Sequence, residues 1–267
     1  MKNSFSIVLL CLSLHIQGQT LKLNQQFDLG QSPVAISIDR YGKLYFGFSN
    51  GEIERYDAEG NLEFNNSTNR RFPIRLIEAW QGLKTFVYSS AYQEYFFLDR
   101  FFNNSEFYQV ERNELRSFDG LATIENDQIL WAFNTETQTL RKVDLFSKEL
   151  LFDNQLNLTL GIEAIDPEHM RVYQNLVFIS EKDHGIAVFD NLGGFLDLIP
   201  IKGISYFSFL KDEIILYDGK RLELINVYSK KKRVIALDNH SFDFILMENN
   251  QLIGVKGKTV QRFDIIN

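Results

Sequence analysis

Short runs of alternating apolar and polar residues, separated by tight polar turns, fill nearly the whole chain. Period-two alternation is the signature of half-buried strands, and helical spacing is hard to find. The clearest stretch predicts four strands, over 32–39, 43–48, 52–57 and 61–64. Between them lie Arg40-Tyr41-Gly42, Ser49-Asn50-Gly51 and Ala58-Glu59-Gly60. Gly42, Gly51 and Gly60 fall where a hairpin needs a positive φ, which glycine adopts without steric cost.

That four-strand unit recurs. An apolar or aromatic residue followed by Asp or Asn closes a third strand at Tyr56-Asp57, Leu98-Asp99, Val143-Asp144, Phe189-Asp190, Ile225-Asn226 and Phe263-Asp264. The intervals are 42, 45, 46, 36 and 38 residues. Second strands align over 44–48, 84–88, 129–133, 176–179, 213–217 and 252–255. A period near forty with four strands per repeat predicts an all-β fold, a six-bladed β-propeller. Each small sheet has two apolar faces that only neighbouring blades can cover. The sixth repeat reaches only a third strand, so residues 21–28, which precede blade 1, are expected to supply its outermost strand and close the ring.

In blade 1 the pattern Pro33-x-x-Ile36-x-x-Asp39-x-x-Gly42-x-Leu44-Tyr45-Phe46, followed by Gly51-x-Ile53-x-x-Tyr56-Asp57-x-x-Gly60, resembles the NHL-type repeat of six-bladed propellers. Blade 4 matches in part, and the other blades keep the strand rhythm and the Asp or Asn. Beyond residue 19 the chain is similar to secreted six-bladed propeller proteins of Bacteroidetes-type bacteria. That resemblance implies a fold and leaves the chemistry open.

Residues 1–19 read as a secretory signal peptide: Lys2 opens it, residues 5–16 form an apolar run of twelve, and a polar, small stretch follows. As a helix that run would rise only about 18 Å, too short to span a bilayer. Domain 20–267 is the propeller, expected to be exported to the periplasm or cell exterior and not membrane-spanning. Removing the signal takes away the only cysteine and one lysine, leaving 27 basic against 35 acidic residues, a net charge of −8. A thiol site is thereby excluded, and so is a field that attracts nucleic acid.

In such a blade the fourth-to-first links and the second-to-third turns share one face, here called the top. Glu168-His169 and Asp183-His184, both in blade 4, fall there and carry carboxylate and imidazole, the donors that suit Zn²⁺. His240 falls on the same face. Six-bladed propellers also include calcium-dependent lactonases, and by that likeness Glu168, Asn134, Asp183 and Asp218 are the positions that would hold Ca²⁺. NHL-like lyases bind zinc with several histidines, whereas this chain has three after residue 19. The binding reading needs neither metal nor cofactor. A Ca²⁺- or Zn²⁺-assisted hydrolase or lyase at the channel mouth is the alternative.

Residues 86–108 hold ten Phe or Tyr in 23 positions. Most are expected to be core, because Tyr95-Phe96-Phe97-Leu98 suits a third strand covered on both faces. Arg100, Phe101 and Phe102, at and just beyond the strand end, are the interaction candidates. Lys230-Lys231-Lys232-Arg233 falls on the bottom face as a solvated basic hairpin. The sequence thus points to a monomeric, non-catalytic module of the cell envelope, binding a protein or a glycan.

Overall fold

A computed structural model of the chain describes residues 19–68, 70–79, 83–110, 120–237 and 240–266. The signal expected over 1–19 lies, but for Gln19, outside the described residues. Strand β1 (Thr20–Asp28) comes first. Blade 1 is β2 (Ala35–Ile38), β3 (Leu44–Gly47), β4 (Glu52–Tyr56) and β5 (Leu62–Ser67). Blade 2 is β6 (Leu76–Glu78), β7 (Thr85–Ser89), β8 (Glu94–Leu98) and β9 (Tyr108–Gln109). Blade 3 is β10 (Leu121–Asn126), β11 (Ile129–Asn134), β12 (Thr139–Asp144) and β13 (Leu150–Gln155). The short helix α1 (Leu156–Leu160) leads to blade 4, made of β14 (Pro167–Tyr173), β15 (Leu176–Glu181), β16 (Gly185–Asp190) and β17 (Phe195–Ile199). Blade 5 is β18 (Phe207–Leu210), β19 (Glu213–Tyr217), β20 (Leu222–Asn226) and β21 (Lys232–Ile235). Blade 6 is β22 (Phe244–Glu248), β23 (Gln251–Lys256) and β24 (Thr259–Ile266), completed by β1.

The six sheets are four-stranded and antiparallel, and they form a propeller ring. Closure follows the expected route: β1 pairs with β24 from Thr20↔Ile266 to Asp28↔Thr259. Phe27 of β1 then stacks on Tyr56 of blade 1, with ring centroids 5.1 Å apart. The latch therefore joins blade 6 to blade 1 by packing as well as by its ladder.

The repeated Asp or Asn is a turn cap. After five of the third strands, the side-chain oxygen of Asp57, Asp99, Asp144, Asp190 or Asn226 accepts backbone N–H groups of the hairpin that follows, as in Asn61 N to Asp57 Oδ1 at 2.7 Å. Asp264 has no such hairpin and instead accepts from Asn24 and Gln251, tying β1 to its sheet. Gly42, Gly51 and Gly60 take φ values of 79°, 97° and 78°.

Apolar side chains leave each sheet on alternate faces and fill six cores between successive blades. Strand β8 shows why blade 2 is so aromatic. Phe96 and Leu98 enter the core shared with blade 1, while Tyr95 and Phe97 enter the core shared with blade 3. No described helix is long and apolar enough to cross a membrane.

Candidate functional site at the channel mouth

The innermost strands, β2, β6, β10, β14, β18 and β22, present one edge to the central channel, where backbone groups have no further strand to pair with. Short hydroxyl side chains serve some of those groups across blade boundaries. Ser37 Oγ accepts from Ala79 N at 3.1 Å, Thr123 Oγ1 accepts from Val172 N at 3.1 Å, and Ser208 Oγ donates to Ile245 O at 2.9 Å. These bonds join blade 1 to 2, 3 to 4, and 5 to 6. A channel lined this way is fixed rather than adaptable, because buried polar groups left unpaired would each cost about 1–3 kcal/mol.

One ion pair sits inside this lining. Glu78 of blade 2 is buried, accepts from Thr123 Oγ1, and lies 3.4 Å from Arg171 Nε of blade 4. Nearer the top, Arg75 donates to the Glu168 carbonyl, again linking blades 2 and 4.

The mouth itself is a cavity of about 210 Å³ lined by Arg75, Glu168, His169, Ser205, Tyr206 and Asp243, among others. His169 is buried, with its ring 4.9 Å from that of Tyr206 and 4.7 Å from that of Phe207. Burial, helped by the charges of Arg171 and Arg75, holds its imidazole well below its ordinary pKa of 6.5, against a backbone hydrogen bond with Phe207. The ring is therefore neutral near pH 7. Burial likewise pushes the Tyr206 phenol up to about 12, with Arg171 opposing and Glu78 adding to it. His169 Nε2 and Tyr206 Oη are both buried, and neither has a hydrogen-bond partner.

Two further cavities continue the mouth outward over blade 5. One of about 370 Å³ shares Ser205, Tyr206 and Asp243 with the mouth and adds Tyr217, Asp218 and Phe242. Another of about 280 Å³ meets it at Asp218 and adds Lys202, Arg221 and Glu223. The polar side chains along this groove are largely engaged already. Burial alone would raise the Asp218 carboxyl, but the N–H groups of Arg221 and Lys220 outweigh it and hold it low. For Asp243, burial is outweighed in the same way by Lys256 and by Gly257 N–H.

The residues singled out from sequence separate on this map. Glu168 and His169 line the mouth. Asp183 and His184 lie at the β15–β16 hairpin tip, where Glu181 Oε2 accepts from both backbone N–H groups and sits 2.6 Å from His184 Nδ1. Asn134 is a turn cap, accepting from Glu136 N and Thr137 N, and Asp218 is another. His240 packs its ring 4.7 Å from Phe263. Among the described residues no group of three or more His, Cys, Asp or Glu is placed to hold a metal ion. Two arginines in the field of His169 also work against a cation there.

One interaction candidate is corrected. Phe102 is buried, with its ring 6.1 Å from Tyr45 and 5.7 Å from Phe64, and the Arg55 guanidinium 5.3 Å from its centroid. Its φ of 67° turns it back beneath the hairpin into the core between blades 1 and 2. Arg100 and Phe101 stay exposed, with the guanidinium 4.6 Å above the ring. The basic run is largely paired: Lys230 with Asp197, Lys232 with Glu223 and Arg233 with Glu213. Arg75, Tyr206 and the Glu78–Arg171 pair were not legible as a site. They lie on, or just before, the innermost strands of different blades, and only ring closure brings them together.

No family model matches the sequence, and no curated protein matches it. Solved structures do match in fold. Virginiamycin B lyase from Staphylococcus aureus aligns with a TM-score of 0.64 at 10% identity, over 92% of this chain and 100% of its own. A streptogramin B lyase gives 0.63 at 10% identity, over 92% of this chain and 98% of its own. BamB from Moraxella catarrhalis gives 0.53 at 12% identity, over 92% of this chain and 100% of its own. At these identities the likeness is one of fold.

Proposed function

We propose that this protein is an exported, non-catalytic interaction module of the cell envelope, which holds a protein or a glycan in the groove leading from its channel mouth. NHL-type kinship and a monomeric ring are part of the same reading. The observation that carries it is the pair of buried polar atoms without partners, His169 Nε2 and Tyr206 Oη, at the inner end of an open groove. A ligand group that bonds to both would recover what their burial costs. Arg100 and Phe101, on the opposite face, are a smaller second contact.

A metal-assisted lyase is the second reading, with the fold of the two lyases behind it. A histidine-to-alanine variant of virginiamycin B lyase, solved with quinupristin, is catalytically inactive. His169 is the imidazole at the mouth of this ring. Stoichiometric Ca²⁺ or Zn²⁺ in the purified protein is the result that would favour that reading.

The test is photo-cross-linking in the native cell from position 220, at the top of the β19–β20 hairpin. A covalent adduct with an envelope protein or glycan is expected. Ser205→Trp, which fills the junction of the two cavities, should abolish it. An adduct that survives Ser205→Trp would take the groove out of the reading.

A further inference from the structure

The groove over blade 5 consists of three cavities in file: the mouth, of about 210 Å³, a middle one of about 370 Å³ and an outer one of about 280 Å³. Ser205, Tyr206 and Asp243 border both of the first two, and Asp218 borders both of the last two. The inner end holds His169 Nε2 and Tyr206 Oη, buried and without partners. A nitrogen of a neutral imidazole either donates or accepts, according to tautomer, and a phenol does both. A ligand group that itself donates and accepts satisfies the pair in either tautomer. Tyr206 precedes β18 and can turn to meet such a group with no strand bond broken.

We propose that the groove binds a neutral linear oligosaccharide, one sugar ring to each of the three cavities, with the innermost hydroxyl bonded to His169 and Tyr206. This rests on the groove reading above and commits it to a glycan. A sugar hydroxyl donates and accepts from a single atom. Charge along the groove is matched inside the protein, Asp218 with Arg221 and Asp243 with Lys256, while the mouth carries both Arg75 and Glu168. No unit of the ligand is therefore asked for a charge, and a polymer charged alike on every unit finds no complementary field.

A peptide finds less here. Grooves hold peptides by a free strand edge or by pockets for alternate side chains. The edge groups at Ala79, Val172 and Ile245 are already bonded to Ser37, Thr123 and Ser208. Ile215, Phe242 and Ile245 line the middle cavity, but all three are buried. The rest of its lining, Ser205, Asp218, Gly219 and Asp243, is polar or small, and the rings of Tyr206 and Tyr217 border it. Such rings suit the apolar face of a sugar.

The adduct captured from position 220 in the native cell tests this. Mass spectrometry of the digested adduct is expected to find a saccharide on the peptide that carries that position, lost on periodate cleavage of its vicinal diols. A peptide there instead, with capture still blocked by Ser205→Trp, would overturn the glycan and leave the groove reading standing. An adduct indifferent to Ser205→Trp would end both. Titration of the purified full chain with oligosaccharides released from the same cells, sorted by length and charge, gives the second readout. Affinity should rise from mono- to trisaccharide and then level off, with the acidic fraction weaker than the neutral one. Tyr206→Phe should weaken the neutral trisaccharide about tenfold, yet leave thermal melting unchanged or higher, because it removes a buried hydroxyl that has no partner. A tyrosine of purely structural importance would instead lower the melting temperature. Unchanged affinity in Tyr206→Phe, no dependence on length, or preference for the acidic fraction would each overturn the proposal.

Discussion

On the top face, Asn134, Glu181 and Asp218 cap second-to-third turns, and two polar atoms without partners, His169 Nε2 and Tyr206 Oη, are buried at the channel mouth. On the bottom face, Asp99, Asp144, Asp190 and Asn226 cap their turns in the same manner, yet the residues two positions on, Phe101, Phe146, Leu192 and Tyr228, are large and exposed. The same backbone device serves both ends of the blade. The faces differ in what each leaves unsatisfied: hydrogen-bonding groups in a groove on one side, apolar surface in water on the other. A turn cap fixes direction and leaves the choice of side chain free, so one repeat can carry two unrelated surfaces.

Phe101 and Phe102 give the sharpest version of that contrast, since adjacent residues of one turn go opposite ways. Phe102→Ala removes a ring from the core between blades 1 and 2 and should cost about 3–5 kcal/mol in urea unfolding. Phe101→Ala, on the exposed tip, should stay within about 0.5 kcal/mol. Similar losses for the two would mean that the tip is not free.

Glu78 tests the channel against the rim. Glu78→Leu leaves Arg171 buried without its partner and should cost about 3–5 kcal/mol. The double variant Glu78→Leu/Arg171→Leu should recover most of that, because the desolvation of both charges is removed together. The rim pairs, such as Lys43 with Glu63, are more exposed, and removing one should cost about 1 kcal/mol or less. If the double variant is as unstable as the single, the loss comes from Glu78's own bonds, such as the one it accepts from Thr123, and not from leaving Arg171 unpaired.

How much of this was legible differs between ring and site. The Asp or Asn at 57, 99, 144, 190 and 226 marks five blades, because local capping chemistry is written in consecutive residues, and Asp264 marks the sixth by the same spacing. Residues 21–28 could be placed because a three-stranded blade leaves an open edge. Phe102 was misplaced because its direction rests on a positive φ that a phenylalanine does not advertise. Glu78, Arg171, His169 and Tyr206 belong to three blades, and periodicity carries no information about which inner-strand side chains meet across a channel. The tips at 101, 146, 192 and 228 were within reach of the sequence, given the aligned caps, but needed the turn geometry to show them pointing outward.

The smallest expected effect concerns His169. Its folded pKa lies well below 6.5, so the unfolded chain binds more protons once the pH falls under that value. Stability contributed by the neutral ring is therefore complete above about pH 6.5 and declines as the pH drops, by at most about 1.4 kcal/mol per pH unit. The depressed carboxyls Asp218 and Asp243 lose their contribution only at lower pH, below the ordinary carboxylate value of 3.8. Urea midpoints between pH 7 and 5 should accordingly fall in the parent and fall less in His169→Gln, with the difference between the two curves belonging to this ring. If the curves run parallel, the imidazole is open to water or protonated in the fold, and the mouth would then lose one of the two groups that set it apart from the exposed tips below.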